Sequence, residues 1–205
     1  MSNVVHPARA VDVTVRAAAN APHTIGIFAE SSTAMFLVTQ AVGALGMSLY
    51  CRFSTHYGSM GHAIGGAVGF CSATGMRAIV VTGDGSFDFM NPMRTAAKHG
   101  LLLTMLVLND SRLTMPYVGS GRVGALHAQT TTHLEPWDFT CQGSARIGGW
   151  RVCDLAHLDG ALAAALSSDR CNVVDVQIDP TITAPVQARL DSVGALFGDA
   201  LDLVA

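Results

Sequence analysis

Asp84 stands between two glycines and ahead of a serine, in Gly83-Asp84-Gly85-Ser86, one residue beyond the apolar run of residues 78–81. A second apolar run, residues 101–108, ends in Asn109-Asp110. Glycine lets backbone amides approach an anion closely, a serine adds a hydroxyl, and a carboxylate holds a hard cation. Magnesium takes octahedral oxygen ligands and commonly bridges one or two carboxylates to phosphates. Asp-Gly alone is a common turn dipeptide. Two such strand ends side by side, at the carboxyl edge where a doubly wound sheet opens its crevice, would serve one ligand site.

The elements that must position these ends follow from the apolar pattern. Residues 24–29 form a short apolar run ending at Glu30, and residues 33–49 read as a buried helix. A Gly/Ala-rich helix is expected over 58–74, a strand over 78–82, a helix over 91–99 with Pro92 in its first turn, and a strand over 101–108. Residues 150–153 and 173–178 suit two more strands, with an amphipathic helix over 158–168 between them. Strands that alternate with helices and read as continuous apolar runs belong to a parallel sheet covered on both faces. The expected fold is thus α/β: a doubly wound, mainly parallel six-stranded sheet in a single domain over 1–205, with 1–22 as an N-terminal extension. Residues 111–136, polar and rich in Gly and Thr, read as a long loop, functional or mobile, bordering the site. Residues 187–204 carry apolar side chains at helical spacing.

The chain has 205 residues, 13% of them charged, against a usual ~25%. Interface cores are depleted in charge, so an oligomer or a partner chain is expected. A net charge of -3 without a basic cluster argues against nucleic acid. Five cysteines, none in a CxxC pair, argue against a disulfide framework or a zinc site and suit reduced, mostly buried thiols. The amino terminus lacks the unbroken apolar core of a signal peptide, and no run approaches the ~18 residues of a membrane span. A cytoplasmic protein is expected.

Gly83-Asp84-Gly85-Ser86, then a helix, an apolar strand and Asn109-Asp110, resembles the cofactor signature of thiamine diphosphate enzymes, in the branch of pyruvate decarboxylase, acetohydroxyacid synthase and benzoylformate decarboxylase. Gly58-Ser59-Met60-Gly61 is similar to the family segment that meets the aminopyrimidine, with Met60 as the apolar wedge under the bent cofactor. Ala29-Glu30-Ser31-Ser32-Thr33 resembles the first strand end of the same domain, and Trp137-Asp138-Phe139 through to Pro180 follows its closing pattern. The resemblance covers nearly the whole chain, with the three motifs in the family's order. It implies thiamine diphosphate and Mg2+, or another divalent cation. Asp84, Asp110 and the carbonyl of Arg112 would be metal ligands, with Asn109 an alternative to Asp110. Ser31, Ser32, Thr33, Gly83, Gly85 and Ser86 would surround the diphosphate, and Gly58, Ser59 and Met60 the aminopyrimidine.

Two departures stand out. The family more often has Asn where Asp110 stands, and the stretch from Asp84 to Asp110 is one residue shorter than the common form, which places a deletion around residues 87–93. The resemblance covers the diphosphate-binding domain, whereas the family's activating glutamate sits in a separate pyrimidine-binding domain. The only glutamates here are Glu30, in the first strand-end motif, and Glu135. A pyrimidine-binding partner subunit is therefore implied, in a heterotetramer or larger assembly similar to sulfopyruvate decarboxylase. The implied reaction is decarboxylation of a 2-oxo acid, with carboligation to a second carbonyl as the alternative and a non-catalytic degenerate subunit as the rival. A nucleotide-binding Rossmann domain is disfavoured, because Glu30-Ser31-Ser32 stands where GxGxxG would follow the first strand.

His56, just before Gly58, is a candidate acid or base, and equally a loop histidine bonded to backbone. His62 reads as packed or interfacial, and His127 and His133 as residues that meet substrate or solvent. Arg112 and Arg122 could pair with an anionic substrate group, with a plain surface role the safer reading for Arg122. Gly58, Gly61, Gly65 and Gly69 permit close approach of another helix.

Overall fold

Period-2 alternation in the apolar runs divides their side chains between two faces, and both faces are covered. The computed structural model describes residues 4–46, 50–53, 57–122 and 128–182. Its strands are β1 (Ile25–Ala29), β2 (Cys51–Phe53), β3 (Arg77–Gly83), β4 (Leu103–Asn109), β5 (Ile147–Val152) and β6 (Cys171–Gln177). All pair in parallel, in the order β2-β1-β3-β4-β6-β5. The expected doubly wound sheet is therefore present, and entirely parallel.

One face carries Ile27, Ile79, Val81, Leu106, Leu108 and Val174, packed under helices α1 (Pro7–Ala19), α2 (Thr33–Leu45) and α8 (Leu155–Ser167). The other carries Phe28, Val80, Met105, Val107 and Val173 under α3 (His62–Thr74), α4 (Asp84–Phe89) and α5 (Met93–His99). α6 (Thr114–Arg122) and α7 (Ala128–Thr132) follow β4.

Several local expectations change. Residues 7–19, read as part of an extension, form α1, which buries Ala10, Val11, Thr14, Val15 and Ala18; Val5 bridges Ile178 beside β6. The segment after Asp110 is not a bare loop but contains α6 and α7, and Leu113 N–H and Leu134 N–H bond back to Thr132 and Ser111. β2 has no counterpart in the apolar pattern. α3 begins at His62, so Gly58, Ser59 and Met60 precede the helix rather than lying in it. Pro92 caps α5 from outside. The expected helix over 187–204 lies outside the described residues. None of the five cysteines is in a disulfide; Cys71 and Cys171 are buried, Cys51 half-buried, Cys141 and Cys153 exposed.

Candidate functional site

The chain leaves β1 toward β2 on one side and returns to β3 on the other, so the sheet changes winding direction between β1 and β3. Ligands of doubly wound sheets bind outside the carboxyl ends at such a point. Here a cavity is lined by Ser31, Ser32 and Thr33 after β1, Gly83 to Ser86 after β3, Asp110 and Arg112 after β4, and Met60 before α3. Residues distant in sequence thus share one crevice because three adjacent strands end beside each other.

Asp84 is 3% exposed. Its Oδ1 accepts from Gly85 N–H at 2.7 Å and its Oδ2 from Arg112 N–H at 3.2 Å. Burial, and then the charge of Asp110, push its carboxyl up to about 7. Burial also raises Asp110, against the pull of the Thr114 hydroxyl, which donates to Oδ2, and of the Arg112 guanidinium at 3.5 Å. Two carboxylates this poorly solvated and mutually repelling form a place where a cation would be held. Among the described residues no set of three His, Cys, Asp or Glu side chains could hold a metal. A cation would take the two carboxylates and main-chain oxygen, with its remaining positions open to phosphate or water.

Arg112 answers the charge that Asp110 adds where the family resemblance expects Asn. Its guanidinium pairs with Asp110, donates to the carbonyl of Pro180, and lies 4.2 Å over the ring of Tyr117. Tyr117 in turn stacks on His133 at 6.2 Å. The Arg112 carbonyl accepts from Thr114 N–H at 2.9 Å and keeps its second lone pair. Between the two, Ser111 has φ 53°, a left-handed conformation that turns the chain so that the Asp110 carboxylate and Arg112 N–H converge beside Asp84.

The loops supply room for a phosphate group. A Cβ on Gly83 would meet nothing within 4 Å, so its surface opens into the cavity. Gly85 is crowded instead: a Cβ there would fall 2.3 Å from Leu113 Cδ2, so the end of that leucine side chain would have to shift. Ser86 is buried. Ser32 caps α2, its Oγ accepting from Ala34 N–H at 3.1 Å, and the adjoining Ser31 and Thr33 also line the cavity at this helix N-terminus. Gly58, at φ 64°, brings its backbone against Ser31; a Cβ there would stand 3.0 Å from Ser31 Oγ.

Asn109 stands apart from this group. It is buried, but its amide donates to Asp175 Oδ1 at 2.9 Å and to the Trp137 carbonyl at 3.1 Å, while its Oδ1 accepts from Ser111 N–H. It braces the turn that presents Asp110. Ser59 is likewise not among the cavity-lining residues. His56, the side chain of Arg122, and His127 lie outside the described residues and side chains. His62 is exposed on α3. The sequence marks Ser111 and Thr114 only as part of the segment after Asp110 and gives no sign of Asp175: positive φ leaves no signature in a serine, and Asp175 lies 66 positions from the asparagine it holds.

An all-parallel sheet whose switch point carries a buried acidic pair, a glycine opening and a hydroxyl-bearing helix start defines a domain built to hold a phosphorylated cofactor. The chain belongs to the thiamine pyrophosphate enzyme family, as its C-terminal TPP binding domain, whose model matches residues 33–176. No curated protein matches the chain. The fold is similar to that of the thiamine diphosphate-dependent 4-hydroxybenzoylformate decarboxylase of Rhodococcus jostii RHA1, with a TM-score of 0.73 and 19% identity. That similarity covers 87% of this chain and 33% of the decarboxylase, so the chain spans about a third of its relative's length. No helix among the described residues is long and apolar enough to cross a membrane.

Proposed function

We propose that the chain is the diphosphate- and Mg2+-binding part of an enzyme that decarboxylates a 2-oxo acid with thiamine diphosphate, completed by a pyrimidine-binding partner subunit. The observation that carries this reading is the buried Asp84–Asp110 pair facing a cavity edged by Ser31 to Thr33, Gly83 and Met60. Magnesium fits the donor set: two carboxylates and a free carbonyl lone pair on Arg112, beside hydroxyls and a glycine opening that suit phosphate. Asp84 and Asp110 would hold the cation, Ser31, Thr33, Gly83 and Ser86 the diphosphate, and Met60 would support the cofactor's other half. Thiamine diphosphate, when bound, supplies the electron sink for loss of carbon dioxide. This chain's share is to bind, orient and neutralise.

The case for a partner rests on surface chemistry as well as on the family. Tyr57 is 96% exposed, Phe89 67%, Met60 42% and Met90 38%; Met60 lines the cavity and Met90 lies against the adjoining Gly61. A large apolar side chain left exposed on a cavity lining, as Met60 is, suits a surface that a partner covers. Isothermal calorimetry with thiamine diphosphate and Mg2+, with and without chelator, tests the cofactor half of the reading. Purifying the chain with its natural partner, then assaying carbon dioxide release over 2-oxo acids with and without aldehyde acceptors, tests the reaction. Absence of metal-dependent binding with the partner present would sink the proposal.

A further inference from the structure

We infer that Glu30 is a positioning residue that ties the Met60 segment to the strand end bearing the diphosphate-facing hydroxyls, an inference that rests on the cofactor reading above. Glu30 follows β1 and is 0% exposed. Its Oε2 accepts from Gly61 N–H at 2.8 Å, and its Oε1 from Ala63 N–H at 2.7 Å and Ile64 N–H at 3.2 Å. A helix leaves its first N–H groups without internal partners. α2 and α8 meet that need with their own capping side chains, Ser32 and Asp154. α3 has Gly61 at its N-cap, in a left-handed conformation at φ 85° and without a side chain to contribute. Its donors are taken instead by a carboxylate 31 to 34 positions earlier in the chain.

The backbone of Glu30 is held from the other side. Its N–H donates to the Val81 carbonyl at 2.9 Å, and its own carbonyl accepts from Ser32 N–H at 2.7 Å. One residue therefore joins the end of β3, the turn carrying Ser31 to Thr33, and the amide that follows Met60. Charge-assisted bonds of this kind are roughly twice as strong as neutral ones. The distance between the diphosphate end and the wedge end of the cavity is set through this side chain.

Glu30→Gln isolates the effect. A glutamine oxygen can still serve Ala63 and Ile64, but its NH2 group then faces Gly61 N–H, donor against donor. In the full chain, amide exchange at Gly61 is expected to speed by about tenfold or more, the loss of one bond to a charged acceptor, with a smaller change at Ala63 and Ile64. With Mg2+ present, affinity for thiamine diphosphate is expected to fall about tenfold, whereas affinity for inorganic diphosphate, which never reaches Met60, stays within about twofold. Glu30→Asp, one methylene short of α3, should speed exchange at all three amides and serves if the glutamine variant fails to fold. Equal loss of both ligands, or unchanged exchange at Gly61 in a folded variant, overturns the inference. A wild-type chain that binds neither ligand even with its partner subunit present instead overturns the cofactor reading, while the exchange measurement still judges the clamp.

Discussion

The backbone N–H of Arg112 donates to Asp84 Oδ2 at 3.2 Å, joining the turn after β4 to the carboxylate after β3. That bond and the left-handed Ser111 bring Asp110 to the same side of the cavity, where its charge raises the Asp84 carboxyl. The site is thus assembled by backbone geometry at two strand ends. Its chemistry comes from leaving two carboxylates short of water.

Asp84→Asn should separate stability from binding. The substitution removes a buried charge that faces a second carboxylate but sets an amide NH2 against Gly85 or Arg112 N–H, so the Tm of the metal-free chain should change little. Mg2+ affinity, read by calorimetry, is expected to fall by about a hundredfold or more, beyond the cost of losing a supporting partner. Asp110→Asn should keep affinity within about tenfold, since an amide oxygen still ligates, whereas Asp110→Ala should abolish binding.

The pH dependence has a definite sign. Asp84 is raised in the folded chain to about 7 from a usual carboxylate value near ~4. Between those values the folded state holds more protons than the unfolded one, so stability without metal should fall as pH rises from about 4 to about 7, then level off. A divalent cation competes with that proton, so apparent Mg2+ affinity should weaken as pH drops below about 7. Chemical denaturation from pH 4 to 8, with and without Mg2+, gives opposite slopes if Asp84 is the ligand. Parallel slopes would remove Asp84 from the metal site.

Ser111→Gly should stabilise the chain by about 0.5 kcal/mol, because glycine relieves the left-handed strain but adds freedom to the unfolded state. Ser111→Val should cost about 2 kcal/mol and weaken Mg2+ binding, since a β-branched residue resists positive φ and would swing Asp110 away. Urea denaturation and metal titration of both variants check this. A valine variant with unchanged metal affinity would show that the turn does not set the ligand geometry.

Legibility in the sequence followed burial. β3 and β4 are covered on both faces and read as unbroken apolar runs, so both acidic corners were visible without a structure. β2 is three residues long with Arg52 at its centre, too short and polar to show a period. α1 hid because its buried stripe is Ala and Val, weakly apolar side chains, interleaved with His6, Arg9, Asp12 and Arg16. Glu30 was visible as part of a strand-end motif, but its role depends on α3 lying across β1, which no local pattern states.

Asn109 offers the sharpest test of which residue at the end of β4 meets the metal. In the fold its side chain is consumed by Asp175, by the Trp137 carbonyl and by Ser111 N–H. Burial already raises Asp175, and the Asn109 amide is the first influence that opposes it. Asn109→Ala would leave that carboxylate with Phe139 N–H and the Gln177 amide alone, which should cost about 2–3 kcal/mol of stability. Mg2+ affinity of the molecules that remain folded should change little, because Asp110 still faces Asp84. Asn109→Asp should destabilise more at neutral pH, placing like charges together, and recover toward acidic pH as one of them takes a proton. If instead Asn109→Ala abolishes Mg2+ binding in a chain that stays folded, while Asp110→Ala does not, the asparagine is the ligand and the bracing role assigned to it here fails.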